Sequence, residues 1–176
     1  MCPEEAPRGD DALRGIRRRL DEVIKALPQE RGVYALCFRL DREVNITNRS
    51  GKVIASVGPG LVLYVGSAGG PGGLRARLSR HLMGASRCWW HVDCVSGAAS
   101  SVKFVFYVTG SSGVESEDSL ARRLAGLSSL RPIGRVGATD ASEPHMFICH
   151  DEDSVIAALM PLGKLIRLRG RSAEAL

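Results

Sequence analysis

Two short stretches decide how this chain is read. They are Gly32-Val33-Tyr34 and Leu63-Tyr64-Val65-Gly66-Ser67-Ala68, the second running through Gly69-Gly70-Pro71-Gly72-Gly73 into Leu74-Arg75-Ala76-Arg77-Leu78-Ser79-Arg80-His81-Leu82. Val33 to Leu40 and Leu61 to Val65 are apolar and bounded by turn residues, which predicts strands. From about Gly73 to Met83, Leu74, Leu78 and Leu82 form one apolar row at helical spacing, and Gly84 stands where a left-handed cap is favoured. Arg77 and His81, four apart, flank that row where core meets solvent.

Upstream, Leu13, Ile16, Leu20, Val23, Ile24 and Leu27 recur at helical spacing between Asp11 and Pro28, with Arg14, Arg17 and Arg18 on the outer face. Val44 to Ile46 and Val53 to Val57 read as a hairpin across Asn48-Arg49-Ser50-Gly51, so the first sheet is antiparallel. Downstream, Trp89 to Val95 and Val102 to Val108 are strand candidates, the second bounded by Thr109-Gly110-Ser111-Ser112-Gly113. A helix follows from about Ser116 to Leu127, then a strand at His145 to Cys149, a helix at Ser154 to Met160 capped by Asp153, and a final strand at Lys164 to Leu168. The expected fold class is α/β of the α+β kind, a small antiparallel sheet flanked by helices. Residues 1–28 form an N-terminal amphipathic helix, 29–170 the domain, and 171–176 a tail.

A chain of 176 residues fits one domain. It has no uncharged apolar run of about 18 residues and no basic-then-apolar leader pattern, so it is expected to be soluble, cytoplasmic and away from membranes. Cys2, Cys37, Cys88, Cys94 and Cys149 form no C-x-x-C pair, and reduced thiols acting as small hydrophobes are expected. Lys and Arg outnumber Asp and Glu by 24 to 19, and the excess is mainly Arg, which suits a polyanion partner without requiring one.

The Gly-rich loop joins a strand to a helix, where free N–H groups favour an anion, but it completes neither common phosphate-binding glycine motif. Arg75, Arg80 and Arg87 extend the positive border around Arg77 and His81, which suits a phosphodiester or simply a solvated face. In the acidic cluster, Glu117 lies on the apolar side of its helix, three before Leu120, whereas Glu115 and Asp118 point away. A core-facing carboxylate needs a partner, a metal or the helix N-terminus. His91 and Asp93 alternate in the predicted strand and share a face, as a metal pair or a substrate-positioning pair; His145 has no sequence-level partner.

Taken in order, these motifs resemble the GIY-YIG nuclease superfamily. From Gly32 to about Phe147 the chain is most similar to an uncharacterised branch found alone or fused to endonuclease III-type glycosylases. The resemblance is carried by Leu63 to Ala68, Arg77 to His81, Trp90-His91-Val92-Asp93, Glu117 with Leu120-Ala121, and Gly137-Ala138-Thr139-Asp140 leading to His145. It implies metal-dependent endonuclease activity on DNA, with a place in DNA repair and a repair-protein partner. On that analogy Tyr34 activates the attacking water, Tyr64 positions it, Arg77 steadies the phosphate, His81 assists proton transfer or grips a phosphate oxygen, and Glu117 holds one Mg²⁺ or Mn²⁺. Arg75, Arg80, Arg87, His91, Asp93 and His145 are the expected nucleic-acid contacts. The chain departs from that branch in the inserted hairpin between its tyrosine motifs, in its longer Gly-rich loop, and in Ala141-Ser142-Glu143-Pro144, where the branch commonly has cysteines.

Two other functions fit the residues: a non-catalytic nucleic-acid-binding module, and a metal hydrolase of small phosphoesters built on His91, Asp93 and His145.

Overall fold

A computed structural model describes residues 9–110, 116–134, 143–169 and 172–175. It is a mixed α+β fold, as expected. The elements run α1 (Gly9–Ala26), β1 (Gly32–Leu40), β2 (Val44–Thr47), β3 (Val53–Val57), β4 (Gly60–Ala68), α2 (Gly73–Leu82), α3 (His91–Ala98), β5 (Ser101–Thr109), α4 (Glu117–Ala125), β6 (Leu130–Pro132), β7 (Met146–Cys149), α5 (Glu152–Leu159), β8 (Lys164–Arg169) and β9 (Ser172–Ala175).

Seven strands form one antiparallel sheet in the order β6-β7-β4-β1-β5-β8-β9. β1 lies at its middle and is buried on both faces, which is why it reads as an almost unbroken apolar run. On one face Tyr34, Leu36, Phe38 and Tyr107 pack with residues of α1, α2 and α3. On the other, Val33, Ala35, Cys37 and Phe106 pack with residues of α4 and α5. Val23 of α1 and Leu27 just after it are buried in the first of these cores, so the N-terminal helix and the domain share one interior. Pro132 lies in the outermost strand β6, where a missing N–H is tolerated.

β2 and β3 form the inserted hairpin, a separate two-stranded sheet. Asn48 builds its turn, the side-chain Oδ1 accepting from the backbone N–H groups of Ser50 and Lys52 at 3.1 and 3.0 Å. Val44, Ile46 and Val57 turn inward to meet Val92 and Val95 in the first core.

Four expectations are corrected. The predicted strand Trp89 to Val95 is instead the helix α3, so His91 and Asp93 do not share a face; residues two apart on a helix point about 200° around its axis. The Asp93 side chain accepts the Trp90 backbone N–H at 2.9 Å and so satisfies a donor at the helix start. The helix also changes the cysteine reading. An extended chain would hold Cys88 and Cys94 about 20 Å apart, whereas here their Cα atoms are 4.7 Å apart and the two are disulfide-bonded. Cys37 and Cys149 are free and buried, as expected. Finally, part of the expected tail is strand β9, paired with β8. The last helix is capped by Asp151 rather than Asp153. No helix among the described residues is long and apolar enough to cross a membrane.

Candidate active site

Antiparallel register brings the two tyrosines together. Tyr34 lies opposite Gly66, and Tyr64, two residues from Gly66 on β4, shares its face. The ring centroids are 6.1 Å apart. Both motif glycines have a steric reason. A Cβ on Gly66 would stand 2.6 Å from the Tyr34 hydroxyl oxygen and 2.9 Å from Tyr64 Cε1. A Cβ on Gly32 would meet the Val108 carbonyl oxygen of β5 and the Leu74 side chain of α2. Glycine at these positions lets strand, helix and phenols close on one another.

From α2, His81 enters the same space and is 2% exposed. Its Nε2 lies 3.1 Å from the Tyr34 hydroxyl. Its Nδ1 lies 3.7 Å from Asp93 Oδ1, and neither of those atoms has another hydrogen-bond partner. Asp93 Oδ2 accepts from Arg80 Nη2 at 2.5 Å. An ionised carboxylate only accepts, so the favourable tautomer carries the proton on Nδ1 facing Asp93 and leaves Nε2 to accept from Tyr34.

Burial holds the His81 imidazole down at about 4, outweighing the Asp93 carboxylate, while Arg77 and Arg80 push the same way as burial. The phenols move in the opposite direction. Burial raises Tyr34 well above its ordinary value, and the Tyr64 phenol and Glu117 add to this. Tyr64 is pushed up to about 12, by burial first and Glu117 second. Arg77 lowers both without overcoming burial. Cationic charge therefore does not make either tyrosine a phenolate; at neutral pH both are protonated and His81 is neutral.

Arg77 is half-buried and lines a cavity of about 300 Å³ with Arg80, Trp90 and the Gly-rich loop. Glu117, in the first turn of α4 and half-buried, is near enough for its charge to act on both tyrosines. Tyr34, Tyr64, Arg77, His81 and Glu117 thus converge from β1, β4, α2 and α4. Asp118 does not simply point away as expected. Its Oδ1 lies 2.7 Å from Nε2 of the buried His145, whose backbone carbonyl accepts from Val65 N–H of β4 at 2.8 Å. This link holds the first turn of α4, and with it Glu117, against the tyrosine strand. Glu115 lies outside the described residues, as does Gly137 to Asp140.

The expected nucleic-acid contacts divide. Arg80 is half-exposed despite its bond to Asp93, and Arg87 is exposed. Arg75 instead donates from Nε to the Leu27 carbonyl at 2.8 Å, tying α2 to the end of α1. Asp93 and His145 are 1% and 2% exposed and spent on internal partners, so they position other groups rather than touch a ligand. His91 opens α3, apart from the Asp93 side chain. Of the three residues of the small-phosphoester reading, Asp93 is bonded to Arg80 and the Trp90 N–H and His145 to Asp118, so the structure does not turn them toward one another.

The weak anion-binding signal at the start of α2 finds no support in its free N–H groups. The N–H groups of Leu74 and Arg75 donate to the carbonyls of Glu30 and Pro28, each at 2.9 Å, and Gly73 N–H donates to Gly70. Those donors are spent on the chain leading into β1. Sequence reasoning also passed over Trp89, Trp90 and Arg49, although two adjacent tryptophans beside Arg87 are the kind of basic-aromatic signal that marks nucleic-acid binders.

A divalent ion of the magnesium type is commonly held by one or two carboxylates, with waters and substrate phosphates completing its shell. Glu117, half-buried beside the two phenols, fits that donor set.

No curated protein and no solved structure matches the chain. A family model, described as Domain of unknown function DUF123, matches residues 33–167. That span takes in both tyrosine strands, the basic helix, Asp93, Glu117 and His145. It covers well over half of the sequence, and the chain belongs to the DUF123 family.

Proposed function

We propose that the protein hydrolyses phosphodiester bonds in nucleic acid, DNA by the resemblance of its motifs to the GIY-YIG nucleases. The observation that carries the reading is the buried 3.1 Å contact between Tyr34 and a neutral His81, beside Arg77.

Tyr34 is 1% exposed, whereas Tyr64 is partly exposed and is the phenol within reach of an attacking water. A proton leaving that water passes to the Tyr64 oxygen as the Tyr64 proton moves to Tyr34, whose ring lies beside it, and the Tyr34 proton moves to His81 Nε2. The relay needs no standing phenolate. The imidazolium so formed faces Asp93, whose charge favours it. Meanwhile the water oxygen bonds to phosphorus, the P–O bond to the leaving oxygen breaks, and Arg77 offsets charge on the phosphoryl oxygens. Glu117 is the residue that would hold Mg²⁺ or Mn²⁺, which when bound neutralises charge on the leaving oxygen.

The test is incubation of the protein with branched, damaged and single-stranded DNA plus Mg²⁺ or Mn²⁺, alongside Tyr34→Phe and Glu117→Ala. Cleavage by the wild type that both changes abolish is expected. Cleavage surviving both overturns the assignment. Salt-sensitive binding without any cleavage would favour the non-catalytic module.

A further inference from the structure

Beside the site just described, the adjacent pair Trp89 and Trp90 is 62% and 47% exposed. They border a groove of about 600 Å³, lined also by Met83, Arg49, Arg80 and Arg87. Among the described residues, no acidic one lines it. Two pieces of chain build it: the turn of the inserted hairpin, and the stretch from Arg80 in α2 through the connection that leads to Trp90 before α3. The hairpin is brought there by Thr47, whose N–H donates to Cys94 Sγ at 3.4 Å and whose hydroxyl donates to Cys88 Sγ at 3.5 Å. That docking carries Arg49 to within 5.5 Å of the Trp90 ring centre. Arg80 and Trp90 line both this groove and the smaller cavity lined by Arg77, so the two adjoin.

Indole faces and a thioether offer stacking and apolar contact, while guanidinium groups on either side pair with phosphate. A base on its sugar-phosphate backbone presents both chemistries at once, and base stacking on aromatic side chains is tolerant of sequence. An acidic peptide would match the arginines but leave two tryptophans in water. A second copy of a chain that is itself basic would set arginine against arginine.

We propose that this groove is a base-stacking subsite that takes one or two unpaired nucleotides next to the phosphate held by Arg77, so that the substrate has a single-stranded segment at the point of cleavage. The proposal rests on the hydrolysis reading for the neighbouring site, and deepens it by naming what the substrate must contain.

The experiment reads binding without chemistry. In EDTA, the anisotropy of a fluorescein-labelled oligothymidylate is compared with that of a labelled blunt hairpin duplex, using the full chain and the variants Trp89→Ala, Trp90→Ala, Trp90→Phe and Arg49→Ala. The single strand should bind about tenfold tighter than the duplex; either alanine change at a tryptophan should remove most of that preference, and Trp90→Phe should keep it. Arg49→Ala should reduce the salt dependence of binding by about one counterion. Equal affinity for strand and duplex, or full preference in both tryptophan-to-alanine variants, overturns the proposal. So does equally tight binding of labelled polyglutamate, or a self-associated species that Trp89→Ala abolishes. Cleavage measured in parallel with Mn²⁺ separates the two readings. Strand binding through the tryptophans with no cleavage sinks the hydrolysis reading alone, and cleavage that ignores single-strandedness sinks the groove alone.

Discussion

Replacing Gly66 by alanine perturbs the site without replacing any titratable residue. The added Cβ would stand 2.6 Å from the Tyr34 hydroxyl oxygen, 2.7 Å from its Cζ and 2.9 Å from Tyr64 Cε1. To reach ordinary contact at 3.4 Å the Tyr34 hydroxyl must retreat by roughly 0.8 Å, and the ring has little room because Tyr34 is 1% exposed. Overpacking of this kind costs about 1–3 kcal/mol, partly offset by the lower entropy of an unfolded chain with alanine. For a domain of this size the midpoint of unfolding should fall by roughly 2–8 °C. The same displacement lengthens the 3.1 Å contact to His81, and misplacement on that scale lowers a rate by about a hundredfold. Gly58→Ala is the control, since a Cβ there meets nothing within 4 Å. Thermal unfolding followed by circular dichroism, with cleavage of a labelled strand on the same samples, reads both effects. A Gly66→Ala protein with wild-type midpoint and rate would refute the packing explanation of this motif.

Other changes should act as follows. His81 titrates at about 4 in the fold against an ordinary 6.5, so between these values the unfolded chain takes up the proton first and stability falls as pH is lowered. That loss amounts to about 3 kcal/mol by pH 4 and is absent above 6.5; urea unfolding across this range should show a shallower slope in His81→Asn. His145→Ala removes a buried imidazole and its 2.7 Å contact with Asp118, and should cost about 1–3 kcal/mol of stability. It should also lower cleavage by loosening Glu117, which circular dichroism melts and rate measurements would check. Reducing the Cys88–Cys94 bond reopens a short loop and should lower stability by about 2 kcal/mol, measured as a denaturation midpoint with and without dithiothreitol.

The central strands β1 and β4 and the helix α2 were legible in the sequence because each obeys a single period, apolar runs for the buried strands and a leucine row for the helix. The region from Trp89 to Val95 was not. Tryptophan and valine favour strands, and only the capping contact of Asp93 with the Trp90 backbone and the burial of Val92 and Val95 against the hairpin decide for a helix. β6, with three residues, and β9, with four, are too short to show a period. Tyr34, Tyr64, Arg77, His81 and Glu117 could be picked out from motif order and helical spacing. What could not be read was the distant partner of each supporting group. Asp118 finds His145, 27 residues on, and the N–H groups at the start of α2 are satisfied by carbonyls more than 40 residues earlier. The burial that outweighs Arg77 at both phenols is likewise not visible in the sequence.

The most direct test of the account is the single-turnover cleavage rate of a labelled single-stranded DNA in Mn²⁺, with protein in excess, for the wild type and for Tyr34→Phe of confirmed fold. The relay predicts that removing this one hydroxyl lowers the rate at least a hundredfold while strand affinity stays within about twofold. A Tyr34→Phe protein that cuts at the wild-type rate would contradict it.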